Sequence, residues 1–186
     1  MRKPALRPGW GTGDWTGLPP IAIHPYDAAW PAQFARAKDE IARALAGLDV
    51  RIEHVGSTAV PGLGARAGID ILVGLRDPAD TDACIDRLQE LGYRIHFAKP
   101  EWAHLSGRGH KLHLTPLGSG FWTDHLLFRD YLRTHPDTAA AYHRLKLDLA
   151  RTHGADGSKY VDGKSAFVRA VVERARHERA AGPAKW

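Results

Sequence analysis

Apolar residues recur near helical spacing at Trp30, Phe34, Ile41, Leu45 and Leu48, with Asp27 ahead of them as a cap. This pattern predicts a helix from about Ala28 to Leu48. Val50 to Val55 alternates as a strand. Gly68 to Leu75 is a continuous apolar strand interrupted by a single carboxylate, Asp70. A second helix is expected over Asp80 to Leu91, with Cys84, Ile85, Leu88 and Leu91 on its inner face. Cys84 then packs as a small hydrophobe rather than serving as a nucleophile. Gly92 stops that helix, and Tyr93, Ile95 and Phe97 alternate as a third strand. Trp102 to Ser106 and His110 to Leu117 flank Gly107-Arg108-Gly109, the pattern of a hairpin. Helices follow over Trp122 to Thr134, Pro136 to Thr152 and Gly163 to about Ala180, Pro136 suiting a first helical turn.

The order is a helix, a small mixed sheet with one crossover helix, and a helical C-terminal third, which is an α+β domain. Residues 1–20, rich in Gly, Pro and Trp, read as an irregular arm that could cover a cleft, dock on a partner or stay unfolded. Residues 21–180 form the domain and residues 181–186 a tail. No apolar run approaches the ~18 residues of a membrane span, and the arm lacks a signal-peptide core, so a cytoplasmic location is expected. The single cysteine, which has no internal partner, agrees with a reducing compartment.

A net charge of +5 over 186 residues suits nucleic acid, a nucleotide or another anionic small molecule. The basic residues are spread over the helices without a Lys/Arg block, so a solvated basic surface is favoured over a nucleic-acid groove.

The stretch from His54 to Leu63 joins two strands through Gly56-Ser57. Backbone N–H groups and a Ser hydroxyl at such a turn form a phosphate cradle, with Thr58 beside them; the alternative is that Ser57 or Thr58 caps a short helical turn. Asp70 lies on the next strand, and a carboxylate in an apolar strand must be paired, hydrogen-bonded or bound to metal. A phosphate cradle beside a metal-holding carboxylate supplies the parts for nucleotidyl transfer. Pairing of Asp70 with Arg66 or a histidine is the structural alternative.

These residues resemble the nucleotidyltransferase superfamily, and His54 to Leu63, Asp70 to Leu72, Phe128 to Arg133 with His135-Pro136, Tyr142, Lys146 and Tyr160 to Phe167 resemble the GrpB family. The resemblance runs from about Ile21 to Arg176 and implies a nucleotidyltransferase-like core without an established reaction. The family's module also occurs fused to dephospho-coenzyme A kinase. Active nucleotidyltransferases carry two carboxylates at alternate strand positions, whereas Leu72 stands at the second position here, a lack typical of GrpB proteins. The third acid would come from His110 to Leu114, which offers Lys111 and His113 at alternating positions and no acid. Where the family tends to show Lys-Pro, this chain has Arg66-Ala67.

Among the eleven histidines, His54, His104, His110 and His113 fall on the strands around the expected cleft, whereas His96, His125, His143, His153 and His177 read as surface residues. Asp70 and His113 are the candidate metal ligands, and His54 or His113 the candidate base or third ligand. The implied cofactors are a divalent ion and a nucleoside triphosphate; Mg or Mn fits the carboxylate, and imidazole would draw Zn, Mn or Fe. Gly56, Ser57, Thr58, Arg66, Lys111, Arg129, Lys146 and Lys164 are the candidate phosphate contacts. Arg129 with Asp130 could instead tie helix to sheet. Tyr142 and Tyr160 could stack on a ring or pack in the core. The first reading is a metal-dependent nucleotidyltransferase-like enzyme acting on a nucleotide or other phosphorylated small molecule. The alternatives are a non-catalytic nucleotide- or coenzyme A-binding module and a repurposed Asp/His metal enzyme.

Overall fold

The structure, a computed structural model, describes residues 20–99 and 101–181; the expected arm, up to residue 19, and residues 182–186 of the expected tail lie outside the described residues. Helix α1 spans Trp30–Ala44 and is followed by strand β1, Val50–Val55. The Asp27 carboxylate accepts the Ala29 N–H at 2.8 Å, forming a turn just before the helix rather than capping it from within. A single 3-10 turn, Ser57–Ala59, leads toward β2, Ile69–Leu75. Helix α2 (Thr81–Glu90) precedes β3 (Arg94–Lys99), β4 (Trp102–Gly107) and β5 (His110–Pro116). Three helices close the chain: α3 (Gly120–Thr134), α4 (Pro136–His153) and α5 (Gly157–Ala181).

The sheet order is β1-β2-β5-β4-β3, with β2 and β5 parallel and every other pair antiparallel. The β4–β5 loop is a two-residue turn in which Arg108 (φ 57°) and Gly109 (φ 80°) both take positive φ, the primed geometry whose twist matches that of the strands. Arg108 tolerates it while its guanidinium is held by Glu40 at 2.6 Å and by Leu91 O at 3.2 Å.

Register decides which residues share a face. Ile69, Ile71, Val73 and Leu75 of β2 point with Leu112 and Leu114 of β5 toward α1 and α2, where Ile41, Leu45, Cys84, Ile85 and Leu88 complete the main core. Each aliphatic side chain fully buried there contributes about 1.5–3 kcal/mol relative to exposure. The opposite face carries Asp70, Leu72 and Gly74 on β2, aligned with Lys111, His113 and Thr115 on β5. Trp122 of α3 covers part of that face, packing on Leu72 and Val55. A side chain at Gly74 would meet the Trp122 ring at 2.5 Å, so the glycine makes room for it.

Helix α5 begins six residues before the expected Gly163. Asp156 opens it, its carboxylate accepting the Lys159 N–H at 3.1 Å. Gly163 is not a start but a contact point: a Cβ there would meet Leu149 Cδ2 at 2.5 Å, so its bareness lets α4 and α5 approach closely.

Candidate functional site

A cleft of about 500 Å³ opens between the free face of the sheet and the α4–α5 end of the helical layer. Ser57, Arg66, Asp70, Lys111, His113, Lys146, Tyr160 and Lys164 all line it, so the turn after β1, the loop before β2, β2 itself, β5, α4 and α5 meet here. Ile21 and Gly154 close one side, joined by an Ile21 N–H to Gly154 O bond of 2.8 Å.

Asp70 sits against the Gly56 turn. Gly56 takes φ 70°, and a Cβ at this position would lie 2.6 Å from Asp70 Oδ2. The glycine of the Gly-Ser pair is therefore required by the carboxylate beside it as much as by the turn. Lys111 Nζ lies 4.0 Å and His113 Nε2 3.9 Å from Asp70 Oδ1. Burial alone would raise the Asp70 carboxyl; Lys111, then His113 and Lys164, outweigh it and hold the group ionised, well below the usual carboxylate range. Lys111 Nζ also donates to Ala67 O at 3.2 Å.

On the other side of the turn, Lys146 Nζ donates to Ser57 Oγ at 2.9 Å and to Gly64 O. Lys146 is 2% exposed. Burial, followed by the Lys164 ammonium, brings its amine down to about 7. Lys164 lies over the Tyr160 ring at 4.4 Å, and burial, with Arg66 and Lys111, brings it to about 8. Arg66 approaches the same ring at 5.7 Å. Tyr160 is thus a cleft wall on which two cations lie, and Tyr142 packs in the helical core.

The far end of the cleft is built of rings. His96, His104 and His113 stack in sequence with centroids 5.1 Å apart at each step. Trp102 stacks on Phe121 at 4.9 Å, and Phe121 meets His125 at 4.1 Å with its ring tilted. Burial lowers His104 to about 3 and also lowers His125, so both rings are neutral near pH 7. The Trp102 indole N–H donates to His113 Nδ1 at 3.4 Å, and His113 Nε2 faces Asp70.

Several expected residues fall elsewhere. His54 lies on the core side of β1, stacked on Phe34 at 4.6 Å, with Nε2 2.9 Å from the buried Thr58 hydroxyl. Burial lowers it to about 4, and neither it nor Thr58 reaches the cleft. The strand alternation puts His54 opposite Ile71 rather than Asp70. Arg129 is also outside the cleft. Its guanidinium bonds Glu53 at 2.9 Å, His54 O at 3.0 Å and Asp130 at 2.7 Å, tying α3 to β1. His96 bonds Ser106 at 2.6 Å, His125 is part of the cleft and His143 touches Gly64, so none of these three is a plain surface residue.

A divalent ion does not fit the donor set. Among the described residues no three His, Cys, Asp or Glu side chains gather into a metal-holding group. Asp70 and His113 do meet, but His113 Nδ1 is engaged by the Trp102 N–H, and the Lys111 ammonium stands beside the same Asp70 oxygen, where it competes with a cation. The position of a second carboxylate is Leu72, fully buried under Trp122.

Sequence reasoning missed Phe97, Trp102, Phe121 and His125 as cleft residues. The alternation of β4 with His104 and Trp102 on one face was a usable signal for Trp102; nothing in the sequence placed α3 beside it. No helix among the described residues is long and apolar enough to cross a membrane.

The family model described as GrpB protein matches residues 20–174. A UPF0157 protein of Pseudomonas aeruginosa is 41% identical over 167 residues, covering 83% of this chain and 67% of that protein. The crystal structure of conserved protein GrpB from Enterococcus faecalis superposes with a TM-score of 0.75 at 30% identity, covering 83% of this chain and 96% of that one. The structure of the GLD-2/RNP-8 complex matches with a TM-score of 0.54 at 14% identity, over 87% of this chain and 53% of that one. The fold is nucleotidyltransferase-like.

Proposed function

The chain belongs to the GrpB family, and from that premise we propose that its cleft binds a small phosphorylated molecule, a nucleotide included, without the two-metal apparatus of nucleotidyl transfer. The observation that carries this reading is the excess of cations over carboxylates at one wall. Among the described residues, Arg66, Lys111 and Lys164 line the cleft against Asp70 and Asp162, with Lys146 held behind Ser57. Lys164 is held near 8 by burial and by neighbouring cations, a cost that an incoming anion would relieve. Phosphate oxygens accept from several such donors at once. Lys146, already bonded to Ser57 and Gly64 O, reaches a ligand through Ser57. The ring-lined end offers a flat apolar surface to the rest of the molecule.

Metal-dependent transfer has less support, because Leu72 and the lysines replace the acids that would hold the ions. Calorimetry with ATP and with pyrophosphate at pH 8, with and without Mg, tests the choice. Binding without Mg is expected, weakened about 10- to 100-fold by Lys164→Met, the loss of a charge-assisted contact. Binding should also take up protons, because the anion raises Lys164 from about 8. Unchanged affinity in Lys164→Met would remove the anion-site reading. Mg-dependent turnover of a labelled triphosphate, lost in Asp70→Ala, would restore the transferase.

A further inference from the structure

We propose that Ser57 and Lys146 form a nucleophile–base pair that cleaves an activated acyl compound, an ester or thioester whose alcohol or thiol half carries phosphate. The inference rests on the anion-site reading for the phosphate half and on separate geometry for the chemistry. Strand β1 ends at Val55, the chain reverses at Gly56 with φ 70°, and Ser57 opens a one-turn 3-10 helix. This strand–turn–helix corner presents the Ser57 hydroxyl to the cleft. Lys146 arrives from α4 with Nζ 2.9 Å from that oxygen, the reach expected of a nucleophile and its base.

The surroundings of Lys146 suit a base better than a phosphate-binding cation. It is 2% exposed, and its amine is engaged by Ser57 and Gly64 O instead of standing in the open cleft. Lys164 of α5 and Asp70 of β2 are the charged groups facing it, with Tyr142 and His143 on its own helix. Burial and Lys164 outweigh the pull of Asp70 and bring the amine to about 7. In the neutral amine an N–H still donates to Gly64 O, and the lone pair accepts from the Ser57 O–H.

As Oγ forms its bond to the acyl carbon, Lys146 takes the Ser57 proton. The carbon–oxygen or carbon–sulfur bond then breaks, and the Lys146 ammonium returns that proton to the leaving alcohol or thiol. Water attacks the acyl-Ser57, gives a proton to Lys146 and releases the acid as Ser57 recovers its proton. The balance is ester plus water to acid plus alcohol or thiol, with no redox change. Arg66 and Lys164, lining the same wall, offset the developing oxyanion.

A fluorophosphonate that phosphonylates activated serines tests the pair, with adducts read by intact mass and peptide mapping between pH 5 and 9. One adduct on Ser57 is expected, its rate rising with pH to half-maximum near 7. Ser57→Ala should abolish it, and Lys146→Met should slow it about 100-fold, the lower range for a lost general base. No adduct on Ser57 at pH 8, or an equal rate in Lys146→Met, overturns the proposal. The profile of the parent chain decides the matter alone if the variant does not fold: a rate flat from pH 6 to 8 also overturns it. Pyrophosphate binding without labelling sinks the pair and leaves the anion site standing; labelling without pyrophosphate binding keeps the pair and sinks the anion site.

Discussion

The Gly56–Asp70 contact shows how a single missing methyl organises the cleft. Two different glycines of the same loop, Gly56 at φ 70° and Gly62 at φ 78°, share the conformational demand. Only Gly56 has a neighbour: a Cβ there would press on the Asp70 carboxylate, whereas one at Gly62 meets nothing within 4 Å. Gly62→Ala should therefore lose about 1 kcal/mol in urea denaturation, the strain of positive φ alone. Gly56→Ala should lose about 2–3 kcal/mol, the same strain plus displacement of an ionised side chain from Lys111 and His113. Equal losses would show that the carboxylate is not held by the turn.

Among the elements, α3 decides what the free face of the sheet can do. Its Trp122 sits on Leu72 and in the space left by Gly74, and its Arg129 ties the helix to Glu53 and to the backbone of β1. A second carboxylate on β2 would have to lie under that indole. Leu72→Asp should lose about 3–5 kcal/mol, because it removes a fully buried side chain and leaves a charge without a partner. It should not create Mg binding in a calorimetric titration. A stable variant that binds Mg would show that packing is not what keeps the acid out.

For the molecule as a whole, the buried imidazoles set the acid limit. His54 falls to about 4 and His104 to about 3, both by burial first, from an ordinary value of 6.5. Between those values the unfolded chain binds protons that the folded chain refuses, so stability falls as pH falls through this window. Asp70, depressed in the fold, adds to the loss only below its ordinary value of 3.8. The thermal midpoint should drop steadily from pH 7 to pH 4. A midpoint that stays level over that range would mean that these rings take up protons in the folded chain as readily as in the unfolded one.

Much of this was decided by local pattern. Apolar spacing placed all five strands and the first four helices within a few residues, because amphipathic periods record which side of each element is covered. Gly56-Ser57 and Asp70 marked the cleft, since a turn glycine and an acid in an apolar strand both need a special environment. Pairing was not local. Register between β2 and β5 sent Asp70, Lys111 and His113 to one face and His54 to the other. Only packing of the helical third brought Lys146 to Ser57 across 89 residues, turned Arg129 toward Glu53 and assembled the ring-lined wall. A strand's alternation says that two faces exist; the contacts across the fold decide which face receives a ligand.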